Sequence, residues 1–431
     1  MVARSSVVLG ADYHSSPVFS SGNPDFILRG ERNGAKSAIR IAKESLATHT
    51  LFIGSSGSGK TNCLLELTKQ IKSALGPYDT MCIFDPKRDF TDLFDRTRDV
   101  IVSGTGSQEP WNIGGEITAD GWDEESIAAN AREIATTIFA EAIERSSNPF
   151  FPKAARDLFA DVIGAVAFSS ADDVSFRKAR LNNSELKSYF RNATPAMLAE
   201  FLGSIPSFSG SLKYLGDGTS DQALGVMAEL QEAANGLFAG DFGRRGAFSA
   251  RRFQRQGAAG TIFVQYDITR AATPAYQVIV DSFIKEALAG RKPHANTYVV
   301  IDELKMLPHL LFLENALSFG RSQGVKVIAA VQNIDQLYDV YGADGGKCLA
   351  SGFQLVTCFR TNNQSTREYA QGICGTALKE TTYLSADGKS KSDLRTSRVV
   401  DDWDFATLDL GEAFVFAPFS EPFRFQFERY R

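Results

Sequence analysis

One short stretch of the sequence carries residues suited to binding phosphate. Residues 54–61 read Gly-Ser-Ser-Gly-Ser-Gly-Lys-Thr and match the whole pattern G-x-x-x-x-G-K-S/T. The glycines allow backbone torsions that turn successive N–H groups toward phosphate oxygens, with no side chain in the way. A lysine here supplies charge to the β- and γ-phosphates, and the hydroxyl after it coordinates Mg²⁺. The predicted phosphate-binding residues are Gly54, Ser55, Ser56, Gly57, Ser58, Gly59, Lys60 and Thr61.

The residues around this loop have the pattern that a phosphate-binding loop requires. An apolar strand is predicted at Thr50–Ile53, and apolar residues at helical spacing predict a helix over Lys60–Ser73. The start of that helix would add its positive end to the anion site. A Gly/Ser turn that binds nothing is the alternative, and the strand–loop–helix order argues against it.

An acidic pair follows a second apolar strand, Thr297–Ile301. Asp302 would hold Mg²⁺, and Glu303 would polarise the water that attacks the γ-phosphate. The alternative is that the pair only caps the next helix. A complete phosphate-binding loop in the same chain favours the catalytic interpretation. The chain carries no Asn-Lys-x-Asp pattern of guanine readers, so we expect the nucleotide to be ATP.

Three further side chains could act on the phosphates. Gln332 ends the strand Val327–Val331, at the sheet edge where ligands of α/β proteins gather, and could sense the γ-phosphate. A residue at the end of a strand can equally be part of a turn. Arg321 could stabilise charge in the transition state, within its own subunit or across an interface, and Arg360 is the second candidate.

Two charged clusters leave alternatives open. Residues 85–89, Asp-Pro-Lys-Arg-Asp, end the predicted strand Thr80–Phe84 and lie either near the phosphates or in a salt-bridged turn, which we favour. The second cluster is a run without acidic residues, which is usually a solvated loop but could contact phosphate or another subunit. Its arginines are Arg244, Arg245, Arg251, Arg252 and Arg255.

Composition narrows the class of protein. The chain has 431 residues, is 43% hydrophobic and 23% charged, and carries a net charge of −5. This indicates a soluble protein of more than one domain, and it argues against a surface that is basic throughout. No apolar run approaches the ~18–20 residues of a membrane span, so we expect no direct span. Five scattered cysteines predict reduced core residues in a cytoplasmic protein.

The order of predicted elements indicates an α/β fold. Short apolar strands alternate with helices up to about residue 118, only helices follow, and strands return at Gly260–Tyr266. Alternating strands and helices indicate a mainly parallel sheet covered on both faces. We predict a nucleotide-binding domain over 1–118 and 252–431, interrupted by an all-α domain over 119–251. The first ~45 residues would form an N-terminal extension.

With these motifs the chain resembles the HerA–FtsK superfamily of DNA-pumping ATPases. Within it, the chain is most similar to the TraD/TrwB/TraG-type coupling proteins of bacterial conjugation and type IV secretion. The resemblance covers about residue 49 to the C-terminus, and the helical insert matches in place but weakly in sequence. The residues that carry it are Gly54–Thr61, Asp85–Lys87, Ile301–Leu304, Gly320–Gln332, Gln332–Gly342, Ile27–Gly30 and Leu408–Val415, the last of which resembles the final core strand of the family.

The resemblance implies a RecA-like P-loop fold and a hexameric ring that uses ATP and Mg²⁺. It assigns Lys60 and Thr61 to phosphate and Mg²⁺, Asp302 and Glu303 to metal and water, Gln332 to sensing, and Arg321 to a neighbouring subunit's site. The implied cargo is single-stranded DNA or a relaxase–DNA complex, delivered to type IV secretion components. A ring reconciles DNA with the acidic net charge, because only its lumen need be basic.

The chain departs from the family in lacking the usual N-terminal membrane helices. We therefore expect a cytoplasmic protein that a partner holds at the inner face of the membrane. A HerA-like translocase or helicase of repair or defence would share every catalytic residue, and a protein-secretion ATPase is a further alternative. A non-hydrolysing ATP-dependent recruitment scaffold would have no need of Glu303.

Overall fold

The computed structural model describes residues 4–14, 24–269, 272–290, 295–384, 390–418 and 420–430. Contacts between residues divide the chain into two compact units, and each is described by itself. Unit 1 comprises Met1–Leu75, Val299–Lys305 and Lys326–Arg431. Unit 2 comprises Gly76–Tyr298 and Met306–Val325. These units follow contacts rather than domain limits, so the all-α domain over 119–251 stays a prediction.

The strands are named in chain order. They are β1 (Arg4–Leu9), β2 (Phe26–Arg32), β3 (Ala35–Ile41), β4 (Thr50–Ile53), β5 (Thr80–Asp85), β6 (Val100–Ser103), β7 (Gly260–Gln265), β8 (Thr297–Ile301), β9 (Val325–Val331), β10 (Leu355–Phe359), β11 (Thr376–Leu384), β12 (Ser390–Arg398), β13 (Glu412–Phe416) and β14 (Phe423–Phe427).

The α-helices are named in the same way. They are α1 (Lys60–Ser73), α2 (Ile113–Ile117), α3 (Glu124–Arg145), α4 (Phe150–Ser169), α5 (Val174–Arg180), α6 (Asn183–Asn192), α7 (Pro195–Gly203), α8 (Asp221–Leu237), α9 (Ala250–Arg255), α10 (Thr273–Leu288), α11 (Leu313–Phe319), α12 (Asp335–Gly352), α13 (Gln364–Cys374) and α14 (Asp402–Ala406).

Unit 1 is built on a row of strands in the order β3-β2-β14-β13-β10-β4-β9-β8. Strand β4 pairs in parallel with both β10 and β9, so that Ile53 lies opposite Cys358 on one side and Val331 on the other. Every residue of β4, β9 and β10 is buried, as expected of parallel strands covered on both faces. This register brings the carboxyl ends of the three strands together at one edge.

Antiparallel strands extend the row beyond β10. Pairs β10–β13, β13–β14, β14–β2 and β2–β3 are all antiparallel. The α/β fold with a parallel core agrees with the sequence prediction, but this extension was not predicted. The segment Leu408–Val415, expected to be the last core strand, includes most of β13, which is a buried strand of this sheet. It is not the last strand, because β14 follows it. The Phe-x-Phe-x-Phe alternation of β14 buries three rings on one face.

A second, smaller sheet of unit 1 was also not predicted. Strands β1, β11 and β12 pair antiparallel in that order. Most residues of β12 are exposed. Strands are recognised in sequence by an alternation of apolar and polar residues, and β12 has too few apolar residues to show one.

Unit 2 combines parallel strands with a helical bundle. Strand β7 pairs in parallel with β5 and with β6, and the longest helices are α3, α4, α8 and α10. Leu158 and Phe159 of α4, Phe190 of α6 and Leu230 of α8 are all completely buried, which defines the core of the bundle. No helix among the described residues is long and apolar enough to span a membrane.

All five cysteines are free thiols. Cys63, Cys82, Cys358 and Cys374 are buried, as the sequence predicts. Cys348 is exposed, so the expectation that the cysteines lie in the core is wrong for this one.

Candidate nucleotide-binding and catalytic site

The loop between β4 and α1 adopts a conformation that requires its glycines. Gly54, Gly57 and Gly59 have φ of 152°, 72° and 115°, in the region that other L-residues rarely adopt. A Cβ on Gly54 would lie 2.7 Å from the Cβ of Phe359. A Cβ on Gly59 would lie 3.0 Å from the Cα of Gly411. The chain therefore needs glycine at both ends of the loop for space as well as for torsion.

Two neighbouring backbone segments hold the loop in place. The N–H of Ser55 donates to the carbonyl of Arg360, which directly follows β10, at 2.9 Å. The N–H of Gly411 donates to the carbonyl of Ser58 at 3.0 Å. These bonds fix the loop at the carboxyl ends of the parallel strands, where α/β proteins bind ligands.

The charged ammonium group of Lys60 lies within this loop. Its side chain is buried, and Nζ donates to the carbonyls of Gly54 at 2.5 Å and Ser55 at 3.0 Å. An ammonium group has three N–H donors in total. A cation held by backbone carbonyls at the first turn of α1 is suited to bind phosphate oxygens.

Thr61 and Asp302 form a pair of oxygen donors beside the loop. The Thr61 hydroxyl donates to Oδ1 of Asp302 at 3.0 Å. Asp302 directly follows β8 and is only 2% exposed. Hydroxyl and carboxylate oxygens are the ligands that Mg²⁺ prefers, and Mg²⁺ commonly takes one or two of them beside phosphate oxygens. The two side chains therefore fit a magnesium ion.

Glu303 and Gln332 form the second pair at this edge. The Gln332 amide donates from Nε2 to Oε2 of Glu303 at 3.0 Å. Glu303 is buried, and among the described residues its Oε1 has no hydrogen-bond partner. Gln336 accepts the backbone N–H of Gln332 at 2.9 Å and so fixes the chain that carries the amide. One carboxylate oxygen is held by the amide, while the other is buried without a hydrogen-bond partner among the described residues.

The structure thus brings together the loop, Lys60, Thr61, Asp302, Glu303 and Gln332, all of which belong to unit 1. Each follows β4, β8 or β9 in the chain, and strands of a parallel sheet present their carboxyl ends at the same edge.

The two candidate arginines are both exposed. Arg321 belongs to unit 2, where it lies in a 3-10 turn, Gly320–Gln323. Arg360 belongs to unit 1, and its backbone carbonyl holds the phosphate-binding loop. Its side chain is exposed to solvent, so both remain candidates for an arginine that acts on a neighbouring subunit.

The cluster after β5 forms a turn closed by backbone hydrogen bonds. The Asp85 carboxylate accepts the N–H groups of Asp89 at 2.9 Å and Phe90 at 3.0 Å. Arg88 has a φ of 62° within this turn. Burial raises the pKa of Asp85, and these hydrogen bonds oppose the shift. The favoured turn is present, and hydrogen bonds from the backbone N–H groups of Asp89 and Phe90 to Asp85 close it.

The structure contradicts the solvated-loop interpretation at only two of the five arginines. Arg244, Arg245 and Arg252 are exposed, as that interpretation predicts. Arg251 is completely buried and binds Glu133, and Arg255 binds Asp120 and Glu286. These acidic partners lie 31 to 135 residues away in the chain. The run is therefore neither a solvated loop nor a phosphate site at these two positions. Its arginines tie α9 to the loop before α3, to α3 and to α10.

The sequence analysis did not predict which residues from the C-terminal part of the chain contact the phosphate-binding loop and the start of α1. Gly411 contacts Ser58 and Gly59, and it needs a φ of 81° to do so. The Asn62 side chain donates to the carbonyl of Glu428 at 2.9 Å and accepts the N–H of Tyr430 at 3.0 Å. The glycine after Leu408-Asp-Leu was the only signal for this contact, because the partners lie more than 350 residues apart.

With the geometry in place, the chain can be compared with known proteins. The model of a family described as the type IV secretion-system coupling protein DNA-binding domain matches residues 35–399. A sequence search of curated proteins found no match.

Solved structures of the same fold include two of TrwB. The unbound conjugative coupling protein TrwBdeltaN70 has a TM-score of 0.73 at 20% identity, covering 99% of this chain and 93% of that one. TrwB in complex with ADP and Mg²⁺ has a TM-score of 0.72 at 19% identity, with coverages of 99% and 94%. VirB4 of Thermoanaerobacter pseudethanolicus has a TM-score of 0.61 at 13% identity, with coverages of 96% and 99%. At these identities the likeness is one of fold.

Proposed function

Because the chain belongs to the family of type IV secretion-system coupling proteins, we propose that it hydrolyses ATP to move DNA into a secretion apparatus. The observation that carries this proposal is the hydrogen bond from Gln332 to Glu303 beside the phosphate-binding loop. A protein that only held ATP would need Lys60 and the loop, but it would not need a buried, oriented carboxylate next to them.

Each residue of the site has its own role in the proposed hydrolysis. The loop N–H groups and Lys60 bind the β- and γ-phosphates. Glu303 accepts a proton from the attacking water through Oε1, while Gln332 keeps the carboxylate oriented. Gln332 would also sense the γ-phosphate. General-base assistance of this kind contributes about 10²- to 10⁴-fold to a rate.

Mg²⁺ would be held by Thr61 and Asp302. The observation that supports it is their 3.0 Å contact beside the loop. When bound, the ion neutralises charge on the β- and γ-phosphate oxygens. TrwB has been described with ADP and Mg²⁺ and with the ATP analogue ADPNP, and its fold is the one found here. We extend both ATP and Mg²⁺ to this chain on that basis.

We propose a homo-hexameric ring with DNA in its lumen and type IV secretion components as partners. A ring needs positive charge only on its inner surface, which is compatible with a net charge of −5. In such a ring Arg321 would act on the site of a neighbouring subunit, with Arg360 as the alternative. The cargo would be single-stranded DNA, alone or joined to a relaxase, and a partner would hold the ring at the membrane.

Stimulation of ATP turnover tests this function. The purified chain should hydrolyse ATP faster with single-stranded DNA than without it. An unfolded protein substrate added at the same concentration serves as the comparison. Stimulation by the protein and not by DNA would favour a protein-secretion ATPase, and no turnover under any condition would favour a recruitment scaffold.

A further inference from the structure

A segment of unit 2 joins two of the candidate catalytic positions. Segment 306–312 begins three residues after Glu303 and leads through α11 to the turn that carries Arg321. The segment is therefore the covalent connection between the two positions.

Helix α10 binds this segment through two buried side chains. Gln277 donates from Nε2 to the carbonyl of Pro308. Asp281 accepts the N–H of Leu311 at 3.0 Å and the N–H of Phe312 at 3.3 Å. Gln277 and Asp281 are each 2% exposed and lie one turn apart on the same face of α10.

The hydrogen bonds that Asp281 accepts offset part of the free-energy cost of burying its carboxylate. A buried carboxylate loses its hydration and is tolerated only where hydrogen bonds replace the lost water. Burial raises the pKa of Asp281 to about 7, and the charge of nearby Glu133 adds to the increase. Leu307 and Leu310 of the segment are buried, so apolar packing already holds it. The Asp281 carboxylate adds hydrogen bonds, which also fix its orientation.

Helix α3 contacts the same anchor. The Thr137 hydroxyl donates to Oδ2 of Asp281 at 3.2 Å, on the oxygen that also accepts the N–H of Leu311. Glu144, two turns further along α3, lies 3.1 Å from Nε2 of His309. His309 has a φ of 56°, a strained conformation that its surroundings must hold. Helix α3 thus contacts the segment directly and through Asp281.

We propose that Thr137 and Asp281 are positioning residues that couple helix α3 of the predicted all-α domain to the ATP site through segment 306–312. A shift of α3 when cargo binds would move the segment, and the segment would move Glu303 and Arg321. Nucleotide binding would in turn shift α3, because coupling between two sites is reciprocal. The roles of Glu303 and Arg321 in this inference rest on the proposed function.

The substitution Thr137→Val tests the coupling with little change of shape. It removes the hydroxyl that reaches Asp281 and touches no residue of the nucleotide site. The matched control is Thr136→Val on the same helix, since the hydroxyl of Thr136 donates to the carbonyl of Arg132 in its own helix and lies in an exposed hydrogen bond.

The first readout is ATP turnover with and without oligodeoxythymidylate. Thr137→Val should keep the basal kcat and the KM for ATP, while its stimulation by DNA falls by about 2- to 30-fold, the range of a coupling of roughly 0.5–2 kcal/mol. Thr136→Val should be stimulated like the wild type. Equal stimulation of the two variants would overturn the coupling.

The second readout is independent of DNA. Amide hydrogen exchange is measured with and without a non-hydrolysable ATP analogue and Mg²⁺. In the wild type and in Thr136→Val, the analogue should slow exchange in segment 306–312 and in α3. In Thr137→Val the effect on the segment should remain and the effect on α3 should disappear. An α3 that does not respond in the wild type, or responds equally in Thr137→Val, overturns the inference, whereas a lack of DNA stimulation alone counts against the proposed function.

Discussion

The Gln332 amide donates a hydrogen bond to the Glu303 carboxylate over 3.0 Å, although 29 residues separate the two in the chain. The bond exists because each residue closely follows a buried strand of the same sheet, β9 in one case and β8 in the other. It leaves Oε1 of Glu303 without a hydrogen-bond partner among the described residues. Water activation requires a base that is held in place and keeps one oxygen without another hydrogen-bond partner.

Loss of the Gln332 amide should slow chemistry and leave binding nearly unchanged. In Gln332→Leu we expect kcat to fall about tenfold, the effect of losing one positioning hydrogen bond of about 1.4 kcal/mol, with little change in KM. The exposed Gln364 on α13 provides the control, as Gln364→Leu. Steady-state ATP turnover over a range of ATP concentrations separates the two parameters. A raised KM at normal kcat would assign Gln332 to binding instead.

Lys60 should be required for the nucleotide to bind. Its ammonium lies in the curl of the loop, and a hydrogen bond to a charged group contributes roughly 1.5–3 kcal/mol. In Lys60→Ala we therefore expect the Kd for ATP to rise about 10- to 100-fold. Titration with a fluorescent ATP analogue measures this directly. Lys69→Ala, an exposed position on the same helix, should bind normally; unchanged affinity in Lys60→Ala would argue against the assigned site.

Mixing of two inactive variants identifies the arginine that acts between subunits. Arg321→Ala should bind ATP but lose about 10³-fold or more in turnover, as arginine fingers do. Adding Lys60→Ala subunits, which retain Arg321, should restore part of the activity, because each variant supplies what the other lacks. If the mixture stays inactive, Arg321 does not act in trans. If Arg321→Ala alone is active and Arg360→Ala is not, the role belongs to Arg360.

Stability should depend on pH through Asp281. Its pKa is about 7 in the folded protein, raised by burial from 3.8, so the folded state holds its proton more tightly than the unfolded state does. Its stabilising contribution is therefore complete below about pH 4 and is lost as pH rises to 7, at about 1.4 kcal/mol per pKa unit as an upper limit. An asparagine side chain does not titrate. The free energy of unfolding of the wild type should fall relative to Asp281→Asn over this interval, measured by denaturant unfolding; parallel curves would contradict the shift.

The parts of the molecule that the sequence predicts are those set by local pattern. Apolar spacing predicts α1 over Lys60–Ser73, and the structure has the same bounds. The glycine pattern predicts the phosphate-binding loop, because glycine is required by torsion and by close approach. The acidic pair after β8, Asp302 and Glu303, is predicted for the same reason, because a strand followed by two carboxylates is a local pattern.

The parts of the molecule that the sequence does not predict depend on contacts between residues that are far apart in the chain. The buried Arg251 looks like one member of a solvated run until its partner Glu133, 118 residues away, is known. Asp281 looks like an ordinary polar residue of an amphipathic helix, and nothing local marks the backbone groups that it binds. The contact of Gly411 with the loop likewise depends on how strands far apart in the chain pair, which periodicity does not encode.

Single-turnover hydrolysis by wild type and Glu303→Gln tests the central claim most directly. With enzyme in excess over radiolabelled ATP and Mg²⁺, the wild type should convert bound ATP to ADP at least about 10²-fold faster than the variant. Both proteins should bind ATP with similar affinity, because the proposed role of Glu303 is to act on the attacking water and not to hold the phosphates. Equal, slow conversion by the two proteins would contradict the account, since Glu303 would then have no part in hydrolysis.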